Sequence, residues 1–224
     1  MKKANHTIYF IGGLARVGKT IVSLKLIRRK HLVPISTDGI RAAMRKILIG
    51  ESHVSVDQIE FHGKATFRRP GNLKQHKISF ARKSKNEDDL AWIGVVGLIE
   101  RYDYRNFTDI LIEGIAVTPE RVHKLKLKNL KIRAAFIGYN DESHLKSVLR
   151  YSKKKNDWVQ TWIKEHGGDY SHVKDWIQKG ILQNDVRRKQ ARGYGYGYFD
   201  ITERPFNEHV RIVLRYLSSG VLKK

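Results

Sequence analysis

Hydrophobic and polar positions along the chain switch repeatedly between a period of two and a period near 3.6. Thr7 to Ile11 is a short β-rich run closed by Gly12 and Gly13, and Lys19 to Lys30 then places Ile21, Val22, Leu24, Leu26 and Ile27 at helical intervals. Leu32 to Ser36 reads as a second strand, followed by a helix over Gly39 to Ile49 with Ile40, Ala43, Met44, Ile47 and Leu48 on its apolar positions. Leu90 to Tyr102 has the pattern of an amphipathic helix, Asp109 to Glu113 that of an apolar strand ending in an acid, and Ile132 to Ile137 that of a buried strand. Asp141 is placed to cap a helix bearing Leu145, Val148 and Leu149. Trp158, Trp162 and Trp176 fall on later helical segments separated by Gly167-Gly168 and are expected in the core. Alternating Gly and Tyr from Gly193 lead into a last strand, Tyr198 to Ile201, and Pro205 opens a helix containing Phe206, Val210, Val213, Leu214 and Leu217. Five strands alternating with helices predict an α/β fold: a parallel sheet covered on both faces, with ligands beyond the carboxyl ends of its strands.

The first strand-to-helix junction carries the most specific signal. Gly13, Leu14, Ala15, Arg16, Val17, Gly18, Lys19 and Thr20 match G-x-x-x-x-G-K-[ST], in the strand–loop–helix context that this phosphate-binding pattern requires. Glycines let backbone N–H groups approach phosphate oxygens, and the helix N-terminus adds its dipole. Lys19 supplies a point charge for the β- and γ-phosphates, and the Thr20 hydroxyl is suited to the shell of a magnesium ion.

Two further groups extend the site. Asp38 and Arg41 lie at one helix start just past the second strand, where a carboxylate orients an acceptor hydroxyl and takes its proton while a guanidinium clamps an anionic group on the same molecule. Arg45, one turn on, extends that clamp. The bland alternative makes Asp38 a helix cap and Arg41 a surface charge. Glu113 closes the apolar strand at the position where such folds place a magnesium-holding acid, or is simply a strand-end surface acid. Its neighbour is Gly114 rather than a second carboxylate, which tilts the reading toward transfer to a bound acceptor and away from hydrolysis for work.

Composition narrows the classes. The 224 residues contain no cysteine, which removes disulfides, thiolate nucleophiles, cysteine zinc sites and iron–sulfur clusters. The ten histidines show no paired ligand spacing, so no zinc is expected, and His144 is read as covering a helix surface. No apolar run approaches the ~20 residues of a membrane span, and a cytoplasmic location without membrane contact is expected. Lys and Arg number 44 against 22 Asp and Glu, a net charge of +22, which favours acidic partners or reflects a general lysine bias. From Phe61 to Asn86 the chain carries Lys64, Arg68, Arg69, Lys74, Lys77, Arg82, Lys83 and Lys85 with no acid among them. This stretch is read as a basic insertion at about residues 61–88, either a binding surface or a solvated loop.

The residues resemble the 2-phosphoglycerate kinase-like branch of small P-loop kinases and, more loosely, zeta-toxin-type and polynucleotide kinases. The resemblance rests on Ile11 through Thr20, on Ile35-Ser-Thr-Asp38-Gly-Ile-Arg41-Ala-Ala-Met-Arg45-Lys-Ile, on Leu111-Ile-Glu113-Gly114 and on Asp141-Glu-Ser-His144. It covers the N-terminal two thirds and fits the last third weakly. It implies a P-loop NTPase three-layer sandwich over residues 1–224, with a five-stranded parallel sheet and a helical lid at about residues 150–192. It also implies ATP and Mg2+ as cofactors and transfer of the γ-phosphoryl group to a hydroxyl of a small, anionic acceptor. Lys19 and Thr20 take the loop roles, Asp38 faces the acceptor, Arg41 clamps it, and Glu113 contacts magnesium or substrate. Arg150 is the first candidate for a lid arginine, followed by Arg187 and Arg188.

Two other functions fit the same residues. A polynucleotide 5′-hydroxyl kinase would use the basic insertion for phosphates and Tyr194, Tyr196 and Tyr198 for base stacking, although those tyrosines also suit a loop entering a buried strand. A nucleotide-gated RNA- or protein-binding module would use the insertion without transferring phosphate, and would leave the Asp38 and Arg41 pair without a purpose.

Overall fold

Strand β1 (Thr7–Gly13) is buried on both faces along its whole length, and the rest of the molecule is arranged around it. The computed structural model describes residues 6–49, 59–61, 65–67, 80–101, 109–125, 127, 130–155 and 157–219, with backbone alone at 45–49, 59–61, 65–67, 80–86 and 155. β1 runs parallel to β5 (Ile110–Gly114) on one side and to β6 (Lys131–Gly138) on the other. β2 (Val33–Ser36) and β7 (Gly197–Asp200) complete a five-stranded, all-parallel sheet in the order β2-β5-β1-β6-β7. The five strands are those the periodicity predicts. Pro34 is accommodated because β2 is an edge strand, bonded to β5 alone.

Alternation along β1 sorts the core into two layers. Tyr9 and Ile11 face α1 (Lys19–Lys30) and α8 (Phe206–Ser219), where Val22, Leu26, Val210, Val213, Leu214 and Leu217 are buried together. Ile8 and Phe10 face α3 (Phe80–Arg101), α4 (Pro119–Lys124) and the end of α7 (Ser171–Gly193), through Val95, Ile99, Val122 and Ala191. α2 (Thr37–Ile49) packs on α3. Above the carboxyl end of β6, α5 (Ser143–Lys155), α6 (Trp158–Glu165) and the first half of α7 close around Tyr139 with Val148, Val159, Val173 and Ile177.

Three sequence expectations change. The basic stretch is not one long loop: β3 (Ile59–Phe61) and β4 (Ala65–Phe67) form an antiparallel pair, and α3 starts at Phe80, ten residues before the predicted Leu90. Arg82, Lys83 and Lys85 therefore sit on a helix, whereas Lys64, Arg68, Arg69, Lys74 and Lys77 lie outside the described residues. Trp158 is 49 % exposed rather than in the core, while Trp162 and Trp176 pack against it from partly buried positions. His144 is buried and stacked on the Tyr139 ring at 4.3 Å, and burial pushes its pKa down to about 4. No helix of the described residues is long and apolar enough to cross a membrane.

Gly12, at the centre of the sheet, tests how tightly this core is closed. A Cβ there would meet the Val117 carbonyl and stand 2.6 Å from the Phe136 ring. Gly12→Ala is expected to cost about 1–3 kcal/mol of stability by overpacking, seen as a melting temperature lowered by several degrees. An unchanged melting curve would show a core looser than described.

Candidate phosphoryl-transfer site

The phosphate loop is built by backbone conformation before any side chain takes part. Gly18 ends the loop with φ 85° and ψ 15° and is the residue before the first turn of α1, which no side chain caps. A Cβ at Gly18 would stand 2.6 Å from the Phe206 ring, so glycine is required here on both conformational and steric grounds. The uncapped helix N-terminus leaves its N–H groups and dipole facing the loop, the arrangement that suits an anion. Gly13, Leu14 and Val17 are buried, Ala15 and Arg16 are half-buried, and Thr20 is exposed on the first turn.

Lys19 is 7 % exposed, and its Nζ donates to the Leu14 carbonyl at 2.7 Å. Burial lowers its pKa to about 8, against the opposing pull of Glu113 and Asp38 and with a smaller push from Arg187 and Arg41. These five groups therefore share one electrostatic environment. Glu113 is delivered by register: in β5 it pairs with Ile11 on one side and Ser36 on the other, at the carboxyl edge of the sheet beside the start of the loop. Burial raises its pKa, opposed by the Lys19 charge and by a hydrogen bond from Ser36.

Asp38 stands exposed in the first turn of α2 and accepts from Arg41 Nη2 at 3.1 Å. The other arm of Arg41 reaches Asp88 on α3 at 3.5 Å. Asp88 is a member of the site that the sequence reading missed, since it lay at the end of a stretch assigned to the insertion. Burial raises its pKa, opposed by Arg41, Arg121 and Arg187. Two of those arginines converge on the loop after Gly114: Arg121 Nη1 donates to the Ala116 carbonyl at 2.8 Å and Arg187 Nη2 to the Ile115 carbonyl at 3.4 Å. Arg121 also pairs with Asp89. The signal available in the sequence was the triplet Glu87-Asp88-Asp89, directly after an acid-free stretch and directly before a helical pattern.

The lid candidates separate. Arg187 lies against the site, with its Nη1 buried and without a hydrogen-bond partner among the described residues, and burial lowers its pKa to about 10. Arg188 is paired with Asp185 on its own helix. Arg150 is exposed on α5. Arg45 lies on α2 one turn after Arg41, with its side chain outside the described residues. The tyrosines of the Gly-Tyr run are taken up by packing: Tyr194 stacks on His123 at 4.0 Å, Tyr196 tilts against Phe136, and Tyr198 joins the core. None of these contacts favours base stacking.

No model of a known protein family matches the chain. It is 24% identical over 204 residues to the mevalonate-3-phosphate 5-kinase of Thermoplasma acidophilum, covering 87% of this chain and 88% of the relative. Among solved structures it superposes on the shikimate kinase of Bacteroides thetaiotaomicron with a TM-score of 0.52 at 14% identity, covering 96% of this chain and 97% of the other. The chain has the P-loop NTPase fold. In this chain the sheet has the order β2-β5-β1-β6-β7, all parallel, and the glycine-rich loop follows the central strand β1.

Asp88 supplies counter-charge to half-buried Arg41 and buried Arg187, so Asp88→Asn is expected to leave the Arg187 guanidinium under-compensated. The predicted cost is about 1–3 kcal/mol, read from urea unfolding. The cost should shrink when Arg187→Leu is present in the same chain; equal costs in both backgrounds would separate the two residues.

Proposed function

We propose that the protein is an ATP-dependent phosphotransferase that moves the γ-phosphoryl group to a hydroxyl of a small anionic acceptor. The observation that carries this reading is the convergence of opposite charges at one uncapped helix N-terminus: buried Lys19 feels Glu113, Asp38, Arg187 and Arg41 together. Asp38 offers a carboxylate on a separate helix, backed by guanidinium groups that suit a second, negatively charged molecule in place of water.

In the proposed reaction, phosphate oxygens replace the Leu14 carbonyl as the partner of Lys19 and accept from the backbone N–H groups of the loop. Asp38 receives the proton of the acceptor hydroxyl as its oxygen attacks the γ-phosphorus, and the bond to the ADP oxygen breaks. Arg41, set between Asp38 and Asp88, and Arg187, whose Nη1 has no partner among the described residues, bind the anionic groups of the acceptor and the phosphoryl group in transit. Thr20 and Glu113 would hold a hard cation, since both offer oxygen donors. Magnesium bound there would neutralise charge on the β- and γ-phosphates.

Those arginines support an anionic acceptor. A 2-phosphoglycerate-like compound, implied by the sequence resemblance, and mevalonate 3-phosphate, in the name of the relative, both carry a phosphate, a carboxylate and a free hydroxyl. We infer a phosphorylated hydroxy acid. A nucleic-acid acceptor draws no support from the described residues.

The test is incubation with ATP and magnesium against a panel of phosphorylated hydroxy acids, mevalonate 3-phosphate included, and a 5′-hydroxyl oligonucleotide, with products read by mass. Gain of one phosphoryl group on a small acid, lost in Lys19→Ala, is the expected result; transfer to the oligonucleotide alone would replace the acceptor class. Asp38→Asn is expected to keep ATP affinity while lowering turnover roughly 10²- to 10⁴-fold. Undiminished turnover would remove Asp38 from the mechanism.

A further inference from the structure

Arg16, in the phosphate loop, is tied through its charged side chain to the helices above the sheet. It adopts φ 68°, a left-handed conformation that costs energy in a residue with a Cβ. Its Nη2 lies 2.6 Å from Asp157 Oδ2, with both side chains about four-fifths removed from solvent, at 20% and 17% exposure. The guanidinium also stands 5.4 Å from the centroid of the Tyr151 ring and 5.3 Å from that of Trp158, on α5 and α6 respectively. Neither the phosphate-loop pattern nor the transfer chemistry requires any of these contacts.

Asp157 has two functions at once. Its Oδ1 accepts from the Val159 N–H at 3.0 Å and caps α6, while Oδ2 holds the loop arginine. Trp158, the first residue of α6, is edge-on to Trp176 of α7 at 5.6 Å. A change in loop conformation at Arg16 therefore acts directly on the start of α6, and a movement of α6 acts directly on the loop. Removing one partner of a largely desolvated ion pair leaves the other charge uncompensated, and here it also removes the cation that faces Tyr151 and Trp158.

We propose that Asp157 is a positioning residue for nucleotide binding: through Arg16 it holds the phosphate loop in its binding geometry and couples loop occupancy to the position of α6. This rests on the nucleotide-binding reading above. Asparagine caps helices as well as aspartate does, so Asp157→Asn separates the two functions, keeping the cap and removing the charge.

The experiment measures Mg-ADP affinity by calorimetry for the unaltered chain, Asp157→Asn, Arg16→Ala and the double variant, with melting temperature as the folding control. Tryptophan emission is followed in parallel, with Trp158→Phe as the control for its source. The expected result is affinity weakened roughly 5- to 20-fold in Asp157→Asn, the scale of a typical coupling between sites. No further loss is expected from Asp157→Asn once Arg16→Ala is present, and Arg16→Lys should recover part of the affinity. Mg-ADP should change the emission of the unaltered chain, and that change should be smaller both in Asp157→Asn and in Trp158→Phe. Unaltered affinity in a folded Asp157→Asn, or additive losses in the double variant, would overturn the coupling and leave the nucleotide reading standing. Failure of the unaltered chain to bind Mg-ADP would overturn both.

Discussion

A lysine ammonium buried at the N-terminus of a helix is in the wrong place by every local criterion. The helix dipole repels it, burial strips its water, and one carbonyl, that of Leu14, is its hydrogen-bond partner among the described residues. The carboxylates of Glu113 and Asp38 offset part of this, but not enough to keep the pKa of Lys19 near its usual value. A phosphate group answers all three costs together: it accepts from the ammonium, accepts from the uncapped N–H groups and supplies the missing negative charge. The loop is thus an unfavourable arrangement that a ligand completes, and the rest of the sheet serves to hold it in that state.

The strand order gives the means. Because β1 lies between β5 and β6, the loop that leaves it emerges beside Glu113 and Gly114 on one side and beside Ile137 and Gly138 on the other. β2, at the edge, sets Ser36 next to Glu113 and starts α2 with Asp38. Helices α3, α4 and α7 then bring Asp88, Arg121 and Arg187 to the same end. Residues separated by more than a hundred positions in the chain meet because parallel strands all end on one edge, where backbone groups and helix starts remain open to a ligand.

Most of the strands and the core of the loop were legible in the sequence, because both depend on local rules. A β1 run followed by Gly12 and Gly13, and Gly18-Lys19-Thr20 opening an apolar helix, carry their conformational reasons with them. Asp38, Arg41 and Glu113 were legible as types at strand ends. The triplet Glu87-Asp88-Asp89 marks Asp88 as an acid at a helix start, but the place of Asp88 and Arg121 in the site follows from the packing of α3 and α4 across the sheet, which no periodicity reports. The early start of α3 was hidden by its charge: a run of lysines and arginines reads as a loop, although both residue types are good helix formers. The engagement of Arg16 with Asp157 was invisible for the same reason as Asp88, as it joins residues more than a hundred positions apart. Trp158 was misplaced because helical spacing marks an apolar face without saying whether anything covers it.

The central claim is that Lys19 is held as a destabilised cation which phosphate relieves. The most direct measurement is the pH titration of its ε-carbon by nuclear magnetic resonance, assigned by the signal absent from Lys19→Arg, with and without Mg-ADP. The account predicts a pKa near 8 in the free protein, moving upward when Mg-ADP binds, because a phosphate favours the charged amine. Titration of Lys19 in the ordinary lysine range, unmoved by the nucleotide, would contradict it.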